Sequence, residues 1–352
     1  VIHAYDDPKH AHLALDAARR YAQIAPAAPH ALHMPSHIFL QLGMWAEAAA
    51  SNEASWAASD KWVKKNNLPI SERDYHSLHW LQYAYLQQGR YDKARELLRI
   101  MRRSLPEFPK QDLRNLVYAT YIEATMAASY LIATQQWAAA EKILDPAAAS
   151  NFAEPPGSGS NPYAAFAALA RTPAIFARGL AAAMTGSPQA HKSFAVLEEI
   201  SREQMKTTIP FVAELREAAG IQSLEIAAAA HATKGEFDTA IKIMRKAAGL
   251  ADAMPGPPGP PPLIKPVHEL SGEVLLRSGR PEDAAQQFAI SLERHPNRAR
   301  SLLGAARGFA QSGNRRRAEK FYSQFAQQWQ RAGPQSPELK EAWAYTRQAS
   351  SG

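Results

Sequence analysis

Eight of the chain's 12 histidines fall within the first 79 of its 352 residues, at positions 3, 10, 12, 30, 33, 37, 76 and 79. Even scatter would put about 2.7 of them there, so the N-terminal quarter is enriched in imidazole. Neutral imidazole joined by one or two carboxylates makes a first shell for zinc or another first-row divalent ion, and three protein ligands plus water is the catalytic version of such a shell. The spacing suits a shared site. His33 and His37 are an i, i+4 pair, and His30 with His33 and His76 with His79 are i, i+3 pairs, so on helices each pair shares one face. The expected ligands are His33, His37 and one of His3, His79 or Asp6. No HExxH motif is present, and the same histidines have a structural reading: capping helices, stacking on aromatics such as Trp80, or bonding backbone carbonyls between helices.

Other residues with chemical potential are more scattered. Glu269 and Glu273 share a helix face with Lys265 and His268 nearby, as an acid–base pair or metal site would, although a solvated groove edge explains them as well. Arg307 offers a guanidinium that could take a carboxylate bidentately. His231 reads as an inward, satisfied core residue. With no cysteine, disulfides, thiolate nucleophiles, Cys-ligated zinc and iron–sulfur clusters are excluded. No Gly-rich phosphate loop and no Ser–His–Asp pattern stands out, so the sequence leans away from an enzyme.

These residues must be positioned by a helical repeat. Leu275, Gly279, Ala284 and Phe288 recur 34 residues later as Phe309, Gly313, Ala318 and Tyr322. Leu81, Tyr85, Gly89, Tyr91, Ala94, Leu98 and Pro106 lay out a full helix–turn–helix unit, with Gly89 making the tight turn and Ala94 letting the second helix approach. The template also fits around Gly43, Trp137 and Gly235, less well around Gly186, and as a half-unit ending at Pro26. The expectation is all-α, with about seven to eight antiparallel hairpins and no strand-period segment.

Two stretches interrupt the pattern, giving a division into an N-terminal block (1–144), a Pro/Gly/Ser-rich loop (145–163), a middle block (164–250), a Pro-rich connector (251–266) and a C-terminal block (267–352). The connector reads as a semi-rigid polyproline spacer, with a docking segment as the functional alternative. The stretch 61–74 reads as a lengthened loop after the unit of Gly43.

The segments HAYDDPKHAHLALDAARRYAQIAPAAPHALHMPSHIFLQLGMW and KPVHELSGEVLLRSGRPEDAAQQFAISLERHPNRARSLLGAARG resemble bacterial tetratricopeptide-repeat proteins. That resemblance implies a right-handed α-solenoid with a concave binding groove, an export signal and a periplasmic location, and no catalytic residue. By the family's repeat positions, His30, His33, His37, His76, His79 and Tyr83 line the groove, as does Arg307. Parallel stacking then brings His30 near His76 and His33 near His79. Carried back beyond Pro26, the frame places His3 and Asp6 on the first helix of a preceding unit, with His10 and His12 beside its turn.

Lys plus Arg at 40 against Asp plus Glu at 33 gives a net charge of +7, which favours acidic partners. The basic runs Arg102-Arg103 and Arg315-Arg316-Arg317 lack interleaved aromatics, which argues against nucleic acid. A hydrophobic share of 46% with 21% charged residues suits a chain that buries a long core, and no apolar run reads as membrane-spanning. The leading functional expectation is a scaffold that binds a protein or peptide in its groove; the alternative is a divalent-metal protein, conceivably a metalloenzyme, with zinc the leading ion.

Overall fold

The computed structural model describes residues 2–144, 166–167, 169–202, 210–333 and 336–349. Among these residues the fold is all-α, without a β-strand, and each helix packs chiefly on its neighbours in sequence. The 145–163 loop lies outside the described residues.

The N-terminal half runs α1 (Leu15–Ile24), α2 (Pro29–His33), α3 (Pro35–Gln41), α4 (Trp45–Lys65), α5 (Tyr75–Gln87), α6 (Tyr91–Ser104), α7 (Leu113–Thr134) and α8 (Ala140–Ile143). The remainder runs α9 (Thr172–Met184), α10 (Ala190–Arg202), α11 (Pro210–Thr233), α12 (Phe237–Ala253), α13 (Val267–Arg277), α14 (Pro281–Arg294), α15 (Ala299–Gln311), α16 (Arg315–Gln328) and α17 (Pro337–Ala349).

One turn chemistry recurs along the chain. At Gly43, Gly89, Gly186, Gly235, Gly279 and Gly313 the backbone is left-handed. The next residue's N–H reaches back five residues, as from Met44 to Phe39 O at 2.8 Å, Arg90 to Tyr85 O at 2.9 Å and Asn314 to Phe309 O at 2.8 Å. This glycine-terminated cap satisfies carbonyls the helix leaves open and reverses the chain into the next helix. Where glycine is absent, Gln135 takes the left-handed conformation itself, at φ 53°.

Local chemistry also corrects several expectations. Residues 2–14 do not form the helix that the extended repeat frame requires; they form 3-10 turns at Ile2–Tyr5 and Ala11–Ala14, because Pro8 disfavours helix at Asp7 and offers no N–H. The loop expected at 61–74 is partly helix: α4 continues to Lys65, and only a 3-10 turn at Ile70–Glu72 precedes α5. Pro35 divides the helix expected through His30, His33 and His37 into α2 and α3. α7 corrects the reading that no segment is long and apolar enough to cross a membrane. By length and composition it is, at 22 residues with an 18-residue stretch of mean hydropathy 1.2, but 83% of that stretch is buried inside the fold.

N-terminal hairpins also meet C-terminal ones. Trp45 Nε1 donates to Asn297 O at 2.9 Å, Ala299 N donates to Gln87 Oε1 at 3.0 Å, and Trp329 Nε1 donates to Gln87 O at 2.9 Å. The connector does not act as a simple spacer between blocks. Between Met254 and Pro266 the chain has no helix, bends at 258–260 and 262–265, and lies against α3 and α5.

Candidate metal centre

Asp74 sets the phase of α5. Its carboxylate caps the helix by accepting from Ser77 N at 3.0 Å and from the Ser77 hydroxyl at 2.5 Å. Burial opposes its ionisation, but the Ser77 bonds together with attraction from His33 and His76 hold the carboxyl below its ordinary value. With α5 held this way, His76 faces the end of α2 and the start of α3. His33 Nε2 lies 3.1 Å from His76 Nε2 and 3.2 Å from His37 Nε2. One ligand nitrogen from each of the three lies within 4.8 Å of the other two.

The opposite nitrogen of each ring is engaged. His33 Nδ1 lies 2.7 Å from Asn52 Oδ1, and the Asn52 amide donates to Ala48 O at 2.8 Å, which turns its oxygen toward the imidazole. His37 Nδ1 meets Asp6 Oδ2 at 2.5 Å and Pro258 O at 3.1 Å, both acceptors. His76 Nδ1 meets the Tyr118 hydroxyl at 2.9 Å. In His33 and His37, therefore, Nδ1 carries a proton, and Nε2 is the atom that faces inward. Outer partners that fix the tautomer in this way are a regular feature of metal-bound histidine.

Electrostatics favours neutral rings at His33 and His76. Burial drives His33 down to about 3, with repulsion from His76 and His37 adding to it. Burial likewise drives His76 down to about 4, against the pull of Asp74. The ring of Trp80 lies 4.8 Å from His33, 4.5 Å from His37 and 5.2 Å from His76, walling the cluster with an apolar face.

The expected ligands divide unevenly. His33 and His37 meet, as their spacing implied, even across the Pro35 break. The expected register holds in part: His30 lies within electrostatic reach of His76, while His33 contacts His76 rather than the expected His79. His79 is buried, with Nε2 lacking a hydrogen-bond partner and burial holding it down at about 4, and it belongs to neither ligand group among the described residues. His3, Asp6 and His37 form a second group, with His3 exposed and 3.6 Å from Asp6. His30 is exposed, its ring 6.4 Å from that of His33; His10 pairs with Asp7 at 2.9 Å, and His12 is exposed. Asn52 and Tyr118 were missed, because nothing in their local sequence links them to the histidines.

The other groove candidates are engaged with the chain itself. Tyr83 is buried and accepts from Arg298 Nη1 at 3.0 Å. Arg307 binds Glu341 with both Nε and Nη2, at 2.9 and 2.6 Å. Glu269 is not a solvated edge: it is fully buried, held by Lys265 at 3.0 Å, Arg298 at 2.8 Å and Ser301 at 2.7 Å, and these cations keep its carboxyl well below the usual range despite burial. Glu273 pairs with the same Lys265 at 2.6 Å, and His268 bonds Gln287 at 2.8 Å. His231, expected in the core, is partly exposed and paired with Glu236.

The cluster can hold a cation. A tetrahedral zinc with Zn–N of about 2.0–2.1 Å sets its ligand nitrogens about 3.3–3.4 Å apart, close to the spacing His33 keeps with His37 and His76. No protein-family model matches the chain, and no curated protein matches it either.

Proposed function

We propose that this protein binds a first-row divalent cation, zinc foremost, through Nε2 of His33, His37 and His76. One observation carries the reading: Nε2 of His33 and Nε2 of His37 face each other at 3.2 Å while Nδ1 of each ring is engaged by an acceptor. A shared cation would coordinate both nitrogens in this apolar surround with no proton between them. Asp6 and Asn52 would orient the first two ligands, and Tyr118 the third. The bound ion would supply Lewis acidity and, with a fourth position open, an activated water. Elemental analysis of untagged protein tests this. Near-stoichiometric zinc, copper or iron is expected, lost on His33→Ala; an empty protein that takes up none of them at neutral pH overturns it.

A second reading has its own support. The repeated glycine caps favour a tetratricopeptide-like right-handed solenoid of about seven to eight hairpins, and the side chains that contact main-chain carbonyls of the connector favour a wall that binds an extended protein or peptide segment. Titrating the purified protein with extended peptides up to millimolar concentration, high enough to compete with the connector, tests it: selective binding supports the scaffold, and binding of none counts against it.

A further inference from the structure

Residues 255–264, PGPPGPPPLI, hold six prolines, which carry no N–H. Such a segment offers mainly carbonyl oxygens, and the surface it lies on offers donors. Gln41 Nε2 donates to Pro257 O at 2.7 Å and His37 Nδ1 to Pro258 O at 3.1 Å. Gln222 Nε2 donates to Pro262 O at 3.1 Å and Arg298 Nη2 to Ile264 O at 3.0 Å. Gln41, His37 and Arg298 are themselves buried, and the donors come from α3, α11 and the start of α15, far apart in sequence. Gly259 presses on the indole of Trp80, where a Cβ would collide with the ring. Main-chain contacts at four carbonyls, one aromatic platform and one position that admits only glycine make up a peptide-recognition surface suited to a stiff, low-entropy proline-rich segment.

We propose that this wall is a binding site for extended proline-rich peptides, filled in cis by residues 255–264 and able to take a peptide of the same chemistry in trans. The tether gives the internal segment an effective concentration on the order of millimolar, so in the wild-type chain it masks the site against a free peptide. The site goes beyond the metal reading and does not depend on it, because its donors and its glycine slot are complete without a cation.

The test is a titration, in chelator, of a fluorescent peptide with the sequence of residues 253–266 against the full-length chain. Gly259→Val forces the internal segment off Trp80. The variant is expected to bind the peptide at least ten-fold more tightly than wild type, and adding Gln41→Ala and Gln222→Ala is expected to weaken that binding again. A peptide with valine at the Gly259 position should not bind. Hydrogen exchange on the wild-type chain gives a readout that needs no variant: millimolar peptide should speed exchange at the buried Gly259 and Ile264 amides by displacing the internal segment. Equal affinity for wild type and variant, or no binding together with unchanged exchange, overturns the proposal. Because chelator is present throughout, failure here leaves the metal reading standing, and absence of metal leaves this one standing.

Discussion

His33 and His76 are 43 residues apart in sequence, on α2 and α5, and meet Nε2 to Nε2 at 3.1 Å. Neither helix alone has a reason to aim an imidazole there; the contact exists because α4 packs both of them side by side. Zinc should therefore stabilise the fold by joining elements that unfolding separates. At a free ion concentration of 100 times Kd the gain is about 2.7 kcal/mol, read as a raised Tm, and His76→Ala should abolish it while His79→Ala retains it.

Acid should destabilise the metal-free protein. In the folded state burial holds His33 at about 3 and His76 and His79 at about 4, whereas the unfolded chain binds those protons near 6.5. Between about pH 6.5 and 4 the unfolded state thus carries more protons, and stability falls as pH falls through that window. Each such group adds a slope of about 1.4 kcal/mol per pH unit inside the window. Urea unfolding in chelator at pH 7 and pH 5 measures it; equal midpoints would contradict the buried neutral rings.

Arg298 should be among the residues whose loss costs most. It neutralises the fully buried Glu269 and also binds Tyr83 and the Ile264 carbonyl. Arg298→Met leaves a buried carboxylate with Lys265 as its remaining cation, at a cost of about 3–5 kcal/mol. Tyr83→Phe, which removes a single hydroxyl, should cost only about 1 kcal/mol. Chemical denaturation of the two variants separates the ionic contribution from the neutral one.

Two turn glycines should respond differently to the same change. Gly43 and Gly313 are both left-handed, at φ 65° and 81°, so alanine strains each by about 1–2 kcal/mol. Around Gly313 an added Cβ meets nothing within 4 Å, while at Gly43 it would run into the Pro296 carbonyl and the Asn297 side chain. Gly43→Ala should lower Tm further than Gly313→Ala, and the difference reports how tightly the first hairpins seat on the C-terminal ones.

The hairpin turns were legible in the residues themselves, since a left-handed glycine and a bond reaching back five residues involve one stretch of chain. For the same reason the meeting of His33 with His37 followed from spacing alone. Which imidazole joins them did not: His76 and His79 sit on one face of α5, and only the packing of α2 and α5 on α4 selects the first and leaves the second outside the group. Asn52 and Tyr118 enter by the same packing, as does the burial of Glu269, which its charged neighbourhood made look like a surface. The proline-rich segment shows the division most directly. Its composition specified a stiff strand with few donors, but its place against Trp80 and Gln41 was decided by helices hundreds of residues away in the chain, because hydrogen-bond donors and apolar surface attract whatever the fold brings within reach, regardless of its distance along the sequence.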